Sequence, residues 1–340
     1  MNEATASPGR VLVTGGGGFL GTAIIRLLHA RGLAVCSLSR RHYPLLDELG
    51  VDQVAGDVAD AAAVARAVEG CQTVFHTAAK AGLWGPEDEY RRANVEGTRN
   101  VVQACLAAGA PRLVYTSSPS VVFNGQDLAG ADESAPYSSR FEAAYPETKA
   151  IAEQLVLSAN SDHLATVSLR PHLIWGPGDN NLLPRIIAQA RSGRLRRIGR
   201  KNALIDPVYI DNAAEGHVLA ADRLIPGSPV AGNAYFITQG ETIAVWDMID
   251  ALLKAAHMDP VRRTISRPLA LVGAGGLEAF YRLSGRGGEP PMTRFLARQL
   301  STTHWFRIDA ARRDFGYEPR VSIAEGLMRL ERWLHGGGGD

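Results

Sequence analysis

The chain has 340 residues, 46% of them hydrophobic, and a formal net charge of +1. It can bury a large core and is long for one compact domain, so a main domain with a smaller second lobe is expected. The balanced charge argues against a nucleic-acid surface, and Cys36, Cys71 and Cys105, odd in number and set apart in apolar sequence, predict core thiols of a reducing, cytoplasmic compartment, with neither disulfides nor a metal cage.

From residue 10 to about 170, short β-branched runs alternate with alanine-rich helical windows. The opening "MNEATASPGR" has no cationic segment followed by an apolar run, so no secretory signal is expected. "RVLVT" precedes a helix over 19–31, "AVCSL" one over 43–49, "DQVAG" one over 60–69, "TVFHT" one over 89–108 and "RLVYTSS" one over 144–159; "ATVSLRP" closes the series. Strand then helix, repeated, predicts an α/β fold: a doubly wound parallel sheet of Rossmann type. Beyond residue 175, "NLLPRIIAQARSG" reads as a helix, "LIDPVYIDNAAEGHVLAAD" as a strand and helix returning to the sheet, and "GNAYFIT" as a further strand. Residues 240–335 read as helical, broken by glycine and proline. The expected division is a nucleotide-binding domain of residues 1–174 and 203–238, a smaller, mostly helical C-terminal substrate lobe of 175–202 and 239–335, and a flexible tail at 336–340. The basic run "RSGRLRRIGRK" at 191–201 reads as a solvated helix end, with an anionic ligand as the alternative. "PLALVGAGGLEAFY" at 268–281 is too short to span a bilayer and contains Glu278; it reads as a core helix, with an interfacial contact to membrane or to an apolar ligand as the alternative.

Chemistry concentrates at the predicted strand ends. "TGGGGFLGTAIIRLL" spaces Gly15, Gly18 and Gly21 three apart between a strand and a helix, as a phosphate-cradling turn requires, with Phe19 and Leu20 opening the helix. The second strand ends in Ser39, Arg40 and Arg41, where an NAD-preferring enzyme would carry an acid for the ribose; guanidinium groups there suit a 2′-phosphate, so NADP(H) is the expected cofactor. Asp57, followed by Val58, ends the third strand, placed to accept a hydrogen bond from adenine. Ser118 ends the fifth, at the edge where open α/β sheets bind ligands. Lysine occurs only at 80, 149, 201 and 254, and Lys149 stands four residues after Tyr145 in "FEAAYPETKAIAEQL", on the same helical face. An ammonium about 5 Å from a phenol favours phenolate by roughly 3 kcal/mol at an effective dielectric near 20, which would bring tyrosine towards the range of a general acid or base.

Taken in this order, the glycine turn, the strand-end serine and the tyrosine–lysine helix resemble the extended short-chain dehydrogenase/reductase family. Within it, "KAGLWGPEDEYRRANVEGT", "YTSSPSVVFNG", "RPHLIWGPGD" and "PPMTRFLARQLSTTHWF" are similar to the 3β-hydroxysteroid dehydrogenase branch, above all to bacterial 2-alkyl-3-ketoalkanoic acid reductases of long-chain olefin biosynthesis. The resemblance implies Ser118 as carbonyl orienter, with Ser117 as the other candidate, and Tyr145 as proton donor or acceptor. Lys149 would lower the tyrosine's pKa and hold the nicotinamide ribose, and Asn94 would support the lysine through a water. Thr77, Ala78, Ala79, Pro171, Leu173 and Ile174 would line the cofactor, while Lys80, Leu83, Trp84 and His172 would meet the substrate. Arg307 departs from the branch, whose members tend to carry an acid after the aromatic pair. The implied function is NADPH-dependent reduction of a ketone on a large apolar small molecule, a long-chain β-keto acid or a sterol. Oxidation of a 3β-hydroxysteroid, with isomerisation or decarboxylation, is the alternative enzyme; a non-catalytic NADP(H) sensor is the alternative of another class. Homodimers, assembly with other lipid-pathway enzymes and a membrane-peripheral location are compatible with the resemblance.

Overall fold

In the computed structural model, residues 9–199, 201–285 and 288–336 are described. The expected tail, from residue 337 onward, and residues 1–8 lie outside them. Seven strands form one parallel sheet: β1 (Arg10–Thr14), β2 (Val35–Ser39), β3 (Asp52–Ala55), β4 (Cys71–His76), β5 (Arg112–Thr116), β6 (Ala165–Pro171) and β7 (Asn233–Ile237). Their spatial order is β7-β6-β5-β4-β1-β2-β3, so the winding direction reverses between β1 and β4.

The central strands are covered on both faces, which is why they read as continuous apolar runs and not as alternating ones. Successive side chains still point to opposite sides. Leu12, Leu38, Val74 and Leu113 pack under helices Ala61–Val68 and Gly97–Ala108. Val11, Val13, Phe75 and Val114 pack on the other face, with helices Phe19–Ala30 and Ile210–Arg223. Every residue of β6 is buried. Thr14 lies opposite both Leu38 and His76, and Thr116 opposite Leu169, so the carboxyl ends are level and their loops line one crevice at the reversal point.

Three expectations from sequence are corrected. The helix over 89–108 is three pieces: Glu87–Tyr90, a π-helical turn over Arg91–Glu96, and Gly97–Ala108. The strand in "LIDPVYID" does not join the main sheet: Leu204–Ile205 pairs with Ile243–Ala244 in a small separate sheet with His304–Phe306 and Leu128–Ala131. Pro207 lacks an N–H and ends the run, and only the helix after it returns to the main sheet. Finally, 268–281 is helical, within Arg267–Ser284, but is not a core helix. Its small face, Ala270, Ala274 and Glu278, packs inward, with Glu278 accepting from Arg294 N and Nε at 2.7 and 2.8 Å. Leu269, Val272, Phe280 and Leu283 point out, while Leu271 is half-buried against the core. Among the described residues no helix is long and apolar enough to cross a membrane.

Candidate active site

The glycine turn is built for a close approach. Gly15 has φ +71°, and a Cβ there would lie 2.9 Å from Ala78 Cα, so neither the backbone conformation nor the space admits another residue. A Cβ on Gly21 would overlap the Gly15 carbonyl oxygen, so helix Phe19–Ala30 rises directly from the turn. Its first turn carries neither a side-chain cap nor an acid, which leaves N–H groups directed at the crevice. Thr14 ties the loop after β4 against the turn: its carbonyl accepts from Thr77 Oγ1 at 2.7 Å and its hydroxyl from Ala78 N at 3.2 Å. At the end of β2, Ser39 Oγ lies 3.5 Å from Gly17 N; Arg40 and Arg41 are exposed and, among the described residues, have no ion-pair partner. Gly178 brings the loop after β6 to the Phe19 ring, and Leu173 in that loop is held at φ 44°, in the left-handed region. These groups fit a dinucleotide laid across the level strand ends.

Tyr145 and Lys149 project from helix Ala144–Ser158, whose Pro146 sits in the first turn where its missing N–H costs nothing. The two serines after β5 point to different places. Ser118 reaches the Tyr145 hydroxyl and also accepts from Ser120 N at 3.2 Å, capping a short turn. Ser117 is buried on the other side, its N–H donating to Leu169 O at 2.6 Å and its hydroxyl lying towards Glu153.

The lysine does not act on the tyrosine as expected. Burial raises the Tyr145 pKa, and only the neighbouring Ser118 hydroxyl offsets this. Lys149 Nζ instead donates to Thr116 O at 2.6 Å and lies over the Tyr115 ring, 4.2 Å from its centroid. At 2% exposure the ammonium is costly to keep, so burial pushes its pKa down to about 7, with the Glu153 carboxylate one turn on resisting the fall.

Residues 12–269 match the 3-beta hydroxysteroid dehydrogenase/isomerase family. The chain belongs to it. It is an oxidoreductase of that family, acting between a carbinol and a carbonyl. It is 52% identical over 325 residues to a 2-alkyl-3-oxoalkanoate reductase of Stenotrophomonas maltophilia, covering 95% of this chain and 98% of that one. A 2-alkyl-3-oxoalkanoate reductase of Shewanella oneidensis is 46% identical, with coverage of 98% and 88%. A 3-beta-hydroxysteroid dehydrogenase of Mycolicibacterium neoaurum is 38% identical, with coverage of 94% and 89%. Among solved structures, gox2253 superposes with a TM-score of 0.78 at 29% identity, covering 97% of this chain and 99% of that one. MoeE5 in complex with UDP-glucose and NAD has the same fold, with a TM-score of 0.74 at 24% identity and coverage of 97% and 100%.

Several side chains assigned from sequence in this dehydrogenase are engaged by the protein itself. Asn94 sits in the π-helical turn, a deformation that often marks a functional site. Its amide accepts from Lys80 N at 2.7 Å and donates to Lys80 O and to Thr148 Oγ1 at 3.2 and 3.0 Å, pinning the loop after β4 to the Tyr145 helix. Asp57 accepts from Ala59 N and Arg92 at 3.0 and 3.2 Å, while neighbouring Val58 packs against Gly97. Lys80 pairs with Glu89 and lies over the Tyr90 ring. His172 is buried, contrary to a substrate contact, its Nδ1 2.6 Å from Asp206 Oδ1 and its Nε2 3.1 Å from His304 Nδ1. Since His304 Nε2 faces the Gln299 carbonyl and must donate, its Nδ1 accepts from His172 Nε2. Trp84, on the loop with Leu83, packs edge-on to Tyr281 of helix Arg267–Ser284. Arg307 pairs with Asp309 at the surface, away from the crevice.

Sequence reasoning missed the groups that hold the reacting helix in place. Glu153 accepts from Arg170, Tyr137 and Ser168 with nothing exposed; burial raises its pKa, yet Arg170 outweighs this and holds it below the ordinary value. His217 Nδ1 donates to Ala213 O, so its Nε2 accepts from Thr116 Oγ1 at 2.9 Å, and Thr116 is fixed by His217 at its hydroxyl and by Lys149 at its carbonyl. His76 lies between the Thr14 and Thr98 hydroxyls at 2.7 and 3.0 Å, and burial, then Lys149, lowers its pKa to about 3. The one available signal for Glu153 was its place four residues after Lys149.

Proposed function

We propose that the enzyme reduces the 3-keto group of a long-chain 2-alkyl-3-oxoalkanoate to the 3-hydroxy acid with NADPH. The reading rests on the Ser118–Tyr145 hydroxyl pair beside Lys149 at the level strand ends, in a chain 52% identical to a reductase of that name. A bound reduced nicotinamide supplies hydride. Tyr145, kept protonated by burial, gives its proton to the carbonyl oxygen, and Ser118 orients that oxygen by a hydrogen bond. The oxygen left by hydride attack is an alkoxide in the making and far more basic than a phenolate, so the tyrosine needs no depressed pKa to protonate it. Lys149 holds the nicotinamide ribose, Gly15, Gly18 and Gly21 admit the pyrophosphate, and Arg40 and Arg41 grip the 2′-phosphate. Residues 1–174 and 203–238 form the cofactor domain and 175–202 and 239–335 the substrate lobe, in a cytoplasmic protein.

A second reading, oxidation of a 3β-hydroxysteroid, is favoured by the 38% identity to a dehydrogenase of that kind, and would use the same residues in reverse. Consumption of NADPH with a long-chain 2-alkyl-3-oxo acid, set against NADP reduction by a 3β-hydroxysteroid, separates them. Tyr145→Phe is the control: turnover should fall about 100-fold or more while NADPH affinity stays. Undiminished turnover would remove Tyr145 from the chemistry, and turnover of steroid alone would reverse the order of the two readings.

A further inference from the structure

Leu173 is one of two non-glycine residues, with His257, that hold a positive φ among the described residues. A bulky side chain at φ 44° persists only where its surroundings leave the backbone no alternative, and such positions cluster around ligands. The chain on either side of Leu173 is tied to neighbouring backbone. His172 N donates to Ile237 O at 3.1 Å and His172 O accepts from Val208 N at 2.8 Å; Trp175 N donates to Val208 O at 3.1 Å and Trp175 O accepts from Ile210 N at 2.9 Å. These bonds bracket Leu173, but none of them is made by Leu173 itself.

The side chain of His172 supplies a further constraint. Its Nδ1 lies 2.6 Å from Asp206 Oδ1, and its Nε2 donates to His304 Nδ1 at 3.1 Å, since His304 Nε2 donates to the Gln299 carbonyl at 3.0 Å. Asp206 in turn accepts from Phe306 N at 2.8 Å through Oδ2. Segments far apart in sequence thus meet in one buried file: the end of β6, the residue after Leu204–Ile205, and the strand His304–Phe306. His172, Asp206 and His304 are 5, 1 and 3% exposed. Phe306 packs edge-on to His172 and Phe123 edge-on to His304, with ring centroids 5.3 and 5.8 Å apart, so the flanks of the file are apolar. Apolar side chains could fill the same space, but only bonds with fixed donors and acceptors hold the end of β6 in a single orientation.

We propose that Asp206, His172 and His304 are positioning residues for the nicotinamide half of the cofactor: they hold the end of β6 so that Leu173 stays left-handed and walls that end of the crevice. The inference rests on the proposed dinucleotide site, in which Leu173 and Ile174 line the cofactor. The nicotinamide lies towards β5 and β6, where Ser118 and Tyr145 stand, whereas the adenine half is placed at the ends of β2 and β3, on the far side of β1. Loss of the file therefore disturbs one half of the cofactor and spares the other. A role in overall stability alone makes no such distinction between the halves.

Calorimetric titration of the full chain with NADPH and with 2′,5′-ADP, which carries adenosine and the 2′-phosphate but no nicotinamide, tests this without any activity measurement. His304→Phe keeps an aromatic ring and removes the acceptor from His172 Nε2; NADPH should then bind about tenfold more weakly, with 2′,5′-ADP within about twofold of the wild type. His304→Gln, whose amide oxygen accepts from His172 and whose amide nitrogen donates to Gln299 O, should bind both ligands as the wild type does. Glycine at 173 is free of the left-handed penalty, so in the Leu173→Gly background His304→Phe should change NADPH affinity by about twofold or less. Cooperative thermal unfolding confirms that each variant folds, and His304→Met, with its adaptable side chain, replaces a phenylalanine variant that does not. Equal weakening of both ligands, weakening of neither, or a loss that persists undiminished with Leu173→Gly overturns the proposal. A wild type that binds NADH in preference to NADPH overturns the choice of cofactor alone, and the comparison is then made between NADH and ADP-ribose.

Discussion

Replacing Lys149 with methionine measures what the enzyme gives up in stability to keep an amine beneath the site. In the folded chain burial lowers the lysine pKa from the ordinary 10.5 to about 7, while the unfolded chain keeps the ordinary value. Between these two values the unfolded state binds the extra proton, so stability rises with pH across that window. The penalty is present in full below about pH 7 and gone above about pH 10.5, and each pKa unit corresponds to about 1.4 kcal/mol, so its full size is about 5 kcal/mol. Methionine has a similar length and no charge, but leaves the Thr116 carbonyl without its donor, a pH-independent cost of about 1–3 kcal/mol. The stability advantage of Lys149→Met over wild type should thus be about 1–3 kcal/mol near neutrality and fall by about 3–4 kcal/mol between about pH 7 and about pH 10. Urea unfolding of both proteins at a series of pH values reads the difference directly, provided the denaturant slopes agree. The same variant should lose ketone reduction. A stability difference flat with pH, or one that grows as the pH rises, refutes the reasoning.

Three further expectations follow from particular contacts. Replacing Arg40 and Arg41 together by serine should weaken NADPH binding about 10–100-fold and leave NADH binding unchanged, as read by fluorescence titration, since each charge-assisted hydrogen bond is worth about 1.5–3 kcal/mol. Ser118→Ala should lower kcat about tenfold or more, whereas Ser117→Ala, removing a buried hydroxyl without an acceptor in hydrogen-bonding geometry, should leave kcat within about twofold. Glu153→Gln should cost about 3–5 kcal/mol in urea unfolding at neutral pH, because Arg170 remains buried without its partner; the wild type gains from the depressed Glu153 pKa above the ordinary carboxylate value and loses that gain as the pH falls through the folded one, so the gap between the two should close in acid.

Those elements of the fold whose cause lies within a few residues were open to sequence reading. Ala165–Pro171 matches the run "ATVSLRP" residue for residue, legible from its β-branched and apolar residues, although the buried Ser168 and Arg170 turn one face to Glu153. The glycine turn is legible because its three-residue spacing answers a local steric demand, seen in Gly21 against the Gly15 carbonyl. Short pieces escaped: a two-residue strand such as Leu204–Ile205 carries no period, and its neighbours are set by His304–Phe306 about a hundred residues away. The π-helical turn escaped for another reason, since its composition is that of any helix, and Asn94 within it reaches back to the loop after β4.

At the site the limit is of another kind. A spacing of four places Tyr145 and Lys149 on one helical face, but says nothing of how much water that face keeps, and water decides the sign of both pKa shifts. A surface calculation at high effective dielectric yields a charged lysine acidifying a phenol; the folded chain has a lysine near neutrality and a phenol held protonated. The partners responsible, Thr116, Tyr115 and the Glu153–Arg170 pair, come from β5, β6 and the helix itself, brought together only by the sheet. The same holds for His172, whose motif gives its place at a strand end, while Asp206 and His304 decide that it faces inward. Residue type and spacing therefore disclose which groups gather at the crevice, whereas their protonation is a property of the packing and has to be measured as a function of pH in the folded enzyme.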